Sequence, residues 1–155
     1  MQNETHDQAN TRLTQALRQL RPEKLPDFLA REKGAMITGA RPFADFMRAR
    51  LREKGALQQE VFLAADLSEN YGFKLIAEEK HTRQRDTILR LCLAARFDLE
   101  ELQEALILYG MAPLYARRAR DAVLIAAFCS GLYDLQAVND LLARCGQAPL
   151  VGDYR

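Results

Sequence analysis

Residues Leu57 to Lys80 read LQQEVFLAADLSENYGFKLIAEEK, and their apolar spacing decides the fold. Gln58, Gln59 and Glu60 open a run in which Val61, Phe62, Ala64 and Ala65 recur at helical intervals, and the run ends at Asp66 and Leu67. Ser68 is placed to cap a second helix, because its hydroxyl can accept from an orphan backbone N–H of the first turn. Tyr71, Gly72, Leu75 and Ile76 then share one inward face. The spacing predicts two short helices joined by a tight turn, a helix-turn-helix. At about 100° per residue, Asn70, Lys74, Ala77 and Glu78 point outward and Phe73 sits at the edge. Gly72 costs about 1 kcal/mol against Ala inside a helix, a cost explained if the neighbouring helix approaches closely there.

The second half contains an internal repeat. RDTILRLCLAARFDLEELQEALILYGMAPL, residues 85–114, is echoed by RDAVLIAAFCSGLYDLQAVNDLLARCGQAPL, residues 120–150. Asp98 and Asp134 are expected N-caps, Glu101 completes a capping box, and Gly110 and Gly146 suit the left-handed turn past a helix end. Pro113 and Pro149 stop continuation. Each copy is a helical hairpin. Their leading helices, with Ile88, Leu89, Leu91 and Leu93 and with Val123, Leu124, Ile125, Ala126 and Phe128, are apolar nearly all round, so both are expected at the centre. Between the copies, Arg117, Arg118 and Arg120 crowd a helix start, where positive charge opposes the helix dipole. Arg117 and Arg118 are therefore candidates for a partner surface that binds an acidic protein, a phosphorylated segment or nucleic-acid backbone, whereas Arg120 matches Arg85 of the other copy and suits a structural ion pair.

The pattern Q-Q-E-V-x-x-A-A-x-L-S-x-x-Y resembles the helix-turn-helix of the Cro-like, or xenobiotic-response-element type, phage-repressor family. The later runs L-S-E-N-Y-G-F-K-L-I-A, R-D-T-I-L-R-L and A-P-L-Y-A-R-R-A-R-D-A-V-L-I look like a bacterial subgroup of single-domain regulators, some encoded close to serine/threonine kinases. The resemblance spans roughly Phe43 to Leu150. It implies a transcriptional regulator that binds double-stranded DNA as a homodimer on a two-fold site. Ser68, Glu69, Asn70, Phe73 and Lys74 would then read bases, with Asn70 on an adenine edge and Lys74 on a guanine or a phosphate. Gln58, Lys80, His81 and Arg83 would hold phosphates. The family usually has Asn-Pro-Ser before the Arg-Asp pair, where this chain has Thr82-Arg83-Gln84, so the turn there is expected to differ.

The alternative is a protein-interaction or signalling adapter that keeps the fold without DNA binding, linked through the resemblance to a serine/threonine kinase system. Its basis is local. From Ser68 to Lys80 the chain carries Glu69, Glu78 and Glu79 against Lys74 and Lys80, a net −1. Glu78, four residues after Lys74, can neutralise it, and Phe73 offers an apolar contact.

At 155 residues and 48% hydrophobic content, the chain reads as a soluble all-α protein: a compact multi-helix bundle with the helix-turn-helix core followed by the two hairpins. Residues 41–155 form one folding unit, and 1–40 form a helical extension. In the extension, residues 1–10 are expected to fray, Leu13, Ala16, Leu17 and Leu20 stripe a helix running from Thr11 to near Arg21, and Pro26 starts a second helix that Gly34 ends. Pro42 opens the helix FADFMRARLREKG, with Phe43, Phe46, Met47 and Leu51 inward. The net charge of +1 supplies no global field toward nucleic acid, so affinity must come from local patches. Cys92, Cys129 and Cys145 lack any C-x-x-C spacing and read as small core residues of a reduced, cytoplasmic protein, with no zinc site and no other cofactor. No apolar run reaches membrane-spanning length. With no phosphate-cradling glycine loop, metal-binding H-E-x-x-H or nucleophile elbow, the chain is not expected to be an enzyme.

Overall fold

The structure is a computed structural model that describes residues 4–151. Among the described residues it has nine α-helices and no strand, an all-α architecture, and it divides into two units, residues 1–40 and 41–155.

In the first unit, α1 (His6–Arg18) starts five residues before the expected Thr11 and stops at Arg18. The reason for the early start is a capping box: the Thr5 hydroxyl accepts from the Gln8 N–H at 3.2 Å, while the Gln8 side chain accepts from the Thr5 N–H at 2.9 Å. Residues 6–10 are thus helical rather than frayed, with Thr5 as the cap, and residues 1–3 lie outside the described residues. The helix α2 (Leu25–Arg31) follows a 3-10 turn, Pro22–Lys24, has Pro26 in its first turn and buries Phe28; it ends before the expected Gly34, which lies within a second 3-10 turn, Lys33–Ala35. Arg12 of α1 bridges Glu4 and Glu32, tying the helices of this unit together.

The second unit contains α3 (Pro42–Glu53), α4 (Gln58–Ala64), α5 (Glu69–Ile76), α6 (Arg85–Ala94), α7 (Leu99–Leu108), α8 (Ala119–Ser130) and α9 (Leu135–Arg144). Its core joins Phe43, Met47 and Leu51 of α3 to Phe62, Ile76, Leu89, Leu102, Leu124 and Leu142. As its sequence predicts, α6 is central: every residue from Thr87 to Leu93 is buried, and it packs on α4, α7 and α9. The outcome for α8 differs, since Ala122, Ala126 and Cys129 are exposed. Alanine loses little by facing water, so a run rich in it overstates burial.

One turn design recurs three times in this unit. A left-handed residue ends the first helix of each pair, at Asp66 (φ 57°), Arg96 (φ 58°) and Gly131 (φ 72°). Ser68, Asp98 and Asp134 then accept from the N–H of Tyr71, Glu101 and Ala137, starting the second helix. A second left-handed residue closes each pair, at Glu78, Gly110 and Gly146. The helix-turn-helix and the two hairpins are therefore three copies of one motif. The one-residue insertion in the last copy falls in its turn, where Leu132 and Tyr133 stand in place of the single Phe97.

Cys92 is buried, but Cys129 and Cys145 are exposed, so only the first of the three thiols is a core residue. Cys129 lies on the outer face of α8 and Cys145 caps α9, positions that helical phase turns away from the core.

Candidate nucleic-acid interface

The pair α4 and α5 is held at close range by Gly72. A Cβ built on it would lie 2.4 Å from Cδ1 of Phe62, so the absent side chain is what lets the helices touch. The turn between them is pinned from below by Arg90 of α6, a buried arginine that donates to the carbonyl of Asp66 at 2.8 Å and also to that of Ala65. These carbonyls end α4, and a guanidinium there satisfies orphan acceptors while complementing the negative end of the helix.

With its inner side fixed, α5 presents its outer side to solvent. Glu69 and Asn70 are exposed in the first turn, and Lys74 is half-buried one turn on. Ser68 is exposed, but its Oγ is engaged in capping, accepting from the Tyr71 N–H at 3.3 Å. Glu69 accepts from Gln59 Nε2 of α4 at 2.8 Å, which fixes its carboxylate beside the first helix. Phe73 is 41% exposed and meets the Phe62 ring edge-on, with centroids 5.0 Å apart. Gln58, half-buried, opens α4.

Glu78 departs from the helical-wheel expectation. It takes φ 58°, which ends the helix and swings the side chain away from Lys74, and its Oε2 accepts from the Ala44 N–H at 3.2 Å. A carboxylate at the start of α3 meets the positive end of that helix, and the interaction draws it there. Arg41 makes the complementary contact, donating to the carbonyl of Ala77 at the end of α5 from 3.0 Å. Glu78 therefore does not neutralise Lys74, and the outer face is reduced to Glu69, Asn70, Phe73 and Lys74.

The loop after α5 holds three cationic candidates in different settings. Lys80 lies with Nζ 6.0 Å from the centre of the Tyr71 ring, His81 stacks on Tyr109 with centroids 4.4 Å apart, and Arg83 is exposed. The Tyr109 hydroxyl also accepts from the Thr82 N–H at 2.8 Å, so α7 organises the loop. Arg117 and Arg118 are exposed in the equivalent loop before α8. Arg120 is structural: it forks onto Asp86, and that hydrogen bond holds its guanidinium pKa above the ordinary value.

Three residues that organise this surface escaped the sequence reading. Gln59 and Tyr109 gave no signal, but Arg90 did, as a lone arginine inside the apolar run T-I-L-R-L-C-L. Among the described residues no cluster of His, Cys, Asp and Glu is placed to hold a metal ion, and no helix is long and apolar enough to cross a membrane. Comparison with protein families, curated proteins and solved structures finds no match to the chain.

Proposed function

We propose that the protein is a DNA-binding regulator of the helix-turn-helix class, and more particularly one of the Cro-like type, acting as a homodimer on a two-fold site. The observation that carries this reading is the placement of Glu78. Spent on the start of α3, it leaves Lys74 beside Asn70 on the outer face of α5, with no ion pair to Lys74 among the described residues. The electrostatic objection to a groove-reading helix is thereby weakened. Asn70 supplies the paired donor and acceptor that suit an adenine edge, Lys74 a cation for guanine or phosphate, and Phe73 an apolar edge for a thymine methyl. Lys80, His81, Arg83 and Gln58 contact backbone, which positions the helix without reading sequence. Selection of preferred duplexes from a random pool tests the proposal: an enriched site is expected, and Lys74→Glu abolishes its recognition. A pool that stays random after repeated rounds argues against sequence reading.

A second reading is favoured by exposed apolar side chains on the same helix pair. Leu63 of α4 is 82% exposed, and Phe73 of α5 is 41% exposed. In this reading the motif is a scaffold for a protein partner, of the kind a signalling adapter would need. Phe73→Asp then disrupts a partner complex and leaves any duplex affinity unaltered.

A further inference from the structure

We propose that Arg117 and Arg118 form a second phosphate-contacting element, which carries the DNA track past the helix-turn-helix onto the start of α8. The inference rests on the DNA-binding reading above and extends it to residues outside the motif.

The argument begins with the pairing of α6 and α8. Arg85 binds Asp121 and Arg120 binds Asp86, so the starts of these two helices are fastened together by reciprocal ion pairs. Arg83 stands two residues before Arg85, and Arg118 two residues before Arg120. Two residues of extended chain span at most about 7 Å. The repeat thus places Arg118 as the counterpart of Arg83, at the same end of the same helix pair. That end is joined to the C-terminal end of α5 by the loop of residues 78–84.

Charge is concentrated there. Residues 80–86 and 115–121 together hold six Lys or Arg against two Asp, a net +4 in a chain whose total is +1. Exposed Glu79, at the head of the first segment, reduces this only to +3. Both aspartates are engaged, by Arg120 and Arg85, and this leaves Lys80, Arg83, Arg117 and Arg118 uncompensated within the two segments.

The side chains of Arg117 and Arg118 make no hydrogen bond or ion pair among the described residues, and their position costs helix stability, so packing does not account for them. A duplex backbone suits the arrangement better than one phosphate on a peptide. The cations are exposed and spread over two loops, whereas a phosphopeptide site needs a convergent, preorganised arginine fork.

The test is the salt dependence of binding to a labelled random-sequence duplex, read by fluorescence anisotropy. It compares the full chain with Arg83→Ala and with the double variant Arg117→Ala/Arg118→Ala, circular dichroism confirming that helix content is retained. The double variant is expected to bind all sequences more weakly and to lose roughly 1 to 2 from the slope of log K against log salt. An unchanged slope and affinity, in a protein that binds duplex and loses slope on Arg83→Ala, overturns the inference while leaving DNA binding intact. A double variant that loses only an acidic, phosphoserine-bearing probe peptide also overturns it, in favour of a protein ligand. Absence of duplex binding by the unsubstituted chain at low salt removes both this inference and the reading beneath it.

Discussion

Arg120 forks over Asp86, with each terminal guanidinium nitrogen 2.8 Å from a different carboxylate oxygen, and Arg85 forms the reciprocal pair with Asp121. Each arginine also donates to a carbonyl of its own copy's A-P-L segment, Arg85 to Ala112 and Arg120 to Ala148. Each aspartate accepts from the residue after that segment, Asp121 from the Tyr115 N–H and Asp86 from the Val151 N–H. Four residues thus lock the two hairpins by an approximate two-fold relation. The same relation recurs at Gln103 and Asn139, whose side-chain oxygens accept from the N–H of Leu114 and Leu150.

The lock has a stability consequence. Asp121 is 2% exposed and serves Arg85 and the Tyr115 N–H together. Asp121→Ala strands both donors and is expected to cost about 3 kcal/mol, since removing one partner of a buried pair leaves the other uncompensated. Asp86→Ala, whose carboxylate is 15% exposed, should cost less. Chemical denaturation of the two variants checks the order.

Gly72→Ala forces a methyl group into the Phe62 ring, and rigid aromatic carbon cannot yield without moving α4. The expected loss is about 2 to 3 kcal/mol. Thermal unfolding reads it, and Phe62→Leu in the same chain should restore part of the loss by opening the space.

Glu78 separates two accounts of the outer face of α5. If its carboxylate serves the start of α3, Glu78→Ala destabilises the chain by about 1 kcal/mol, the usual worth of a cap, and changes duplex affinity little. Glu78→Gly loses the same cap but relieves the left-handed backbone, so it should be the milder substitution. A marked gain in duplex affinity on Glu78→Ala, with stability unchanged, would instead mean that Glu78 faces Lys74.

Thiol labelling probes the core directly. Burial, with the Glu101 carboxylate as the lesser cause, pushes the Cys92 thiol well above its ordinary range, while Cys129 and Cys145 lie at the surface. Mass spectrometry of the folded chain treated with a thiol reagent should find two adducts. A third should appear on unfolding.

Local features of this fold were legible in the sequence, and long-range ones were not. Ser68, Asp98 and Asp134 cap their helices, Glu101 completes its capping box, and Gly110 and Gly146 take positive φ, all settled within a few residues of chain. The close approach at Gly72 was readable because glycine inside a helix needs a reason. Left-handed Asp66, Arg96 and Glu78 were hidden, since arginine and glutamate give no sign of positive φ and aspartate, though enriched there, adopts it only in a minority of cases. Treating α5 as continuous past Ala77 then put Glu78 on the wrong face. The contacts that organise the candidate surface, Arg90 to the turn and His81 on Tyr109, join residues distant in sequence, and no spacing rule encodes them.

The central claim is that the outer face of α5 and the loop behind it meet DNA. It is tested most directly by the anisotropy of a labelled random-sequence duplex titrated with the full chain, at low salt and then at rising salt, beside Lys74→Glu. The account predicts binding that weakens steeply with salt, with a slope of about 0.9 for each phosphate contacted, and a clear loss of affinity in Lys74→Glu. No binding at low salt, or binding that neither salt nor Lys74→Glu alters, would contradict it.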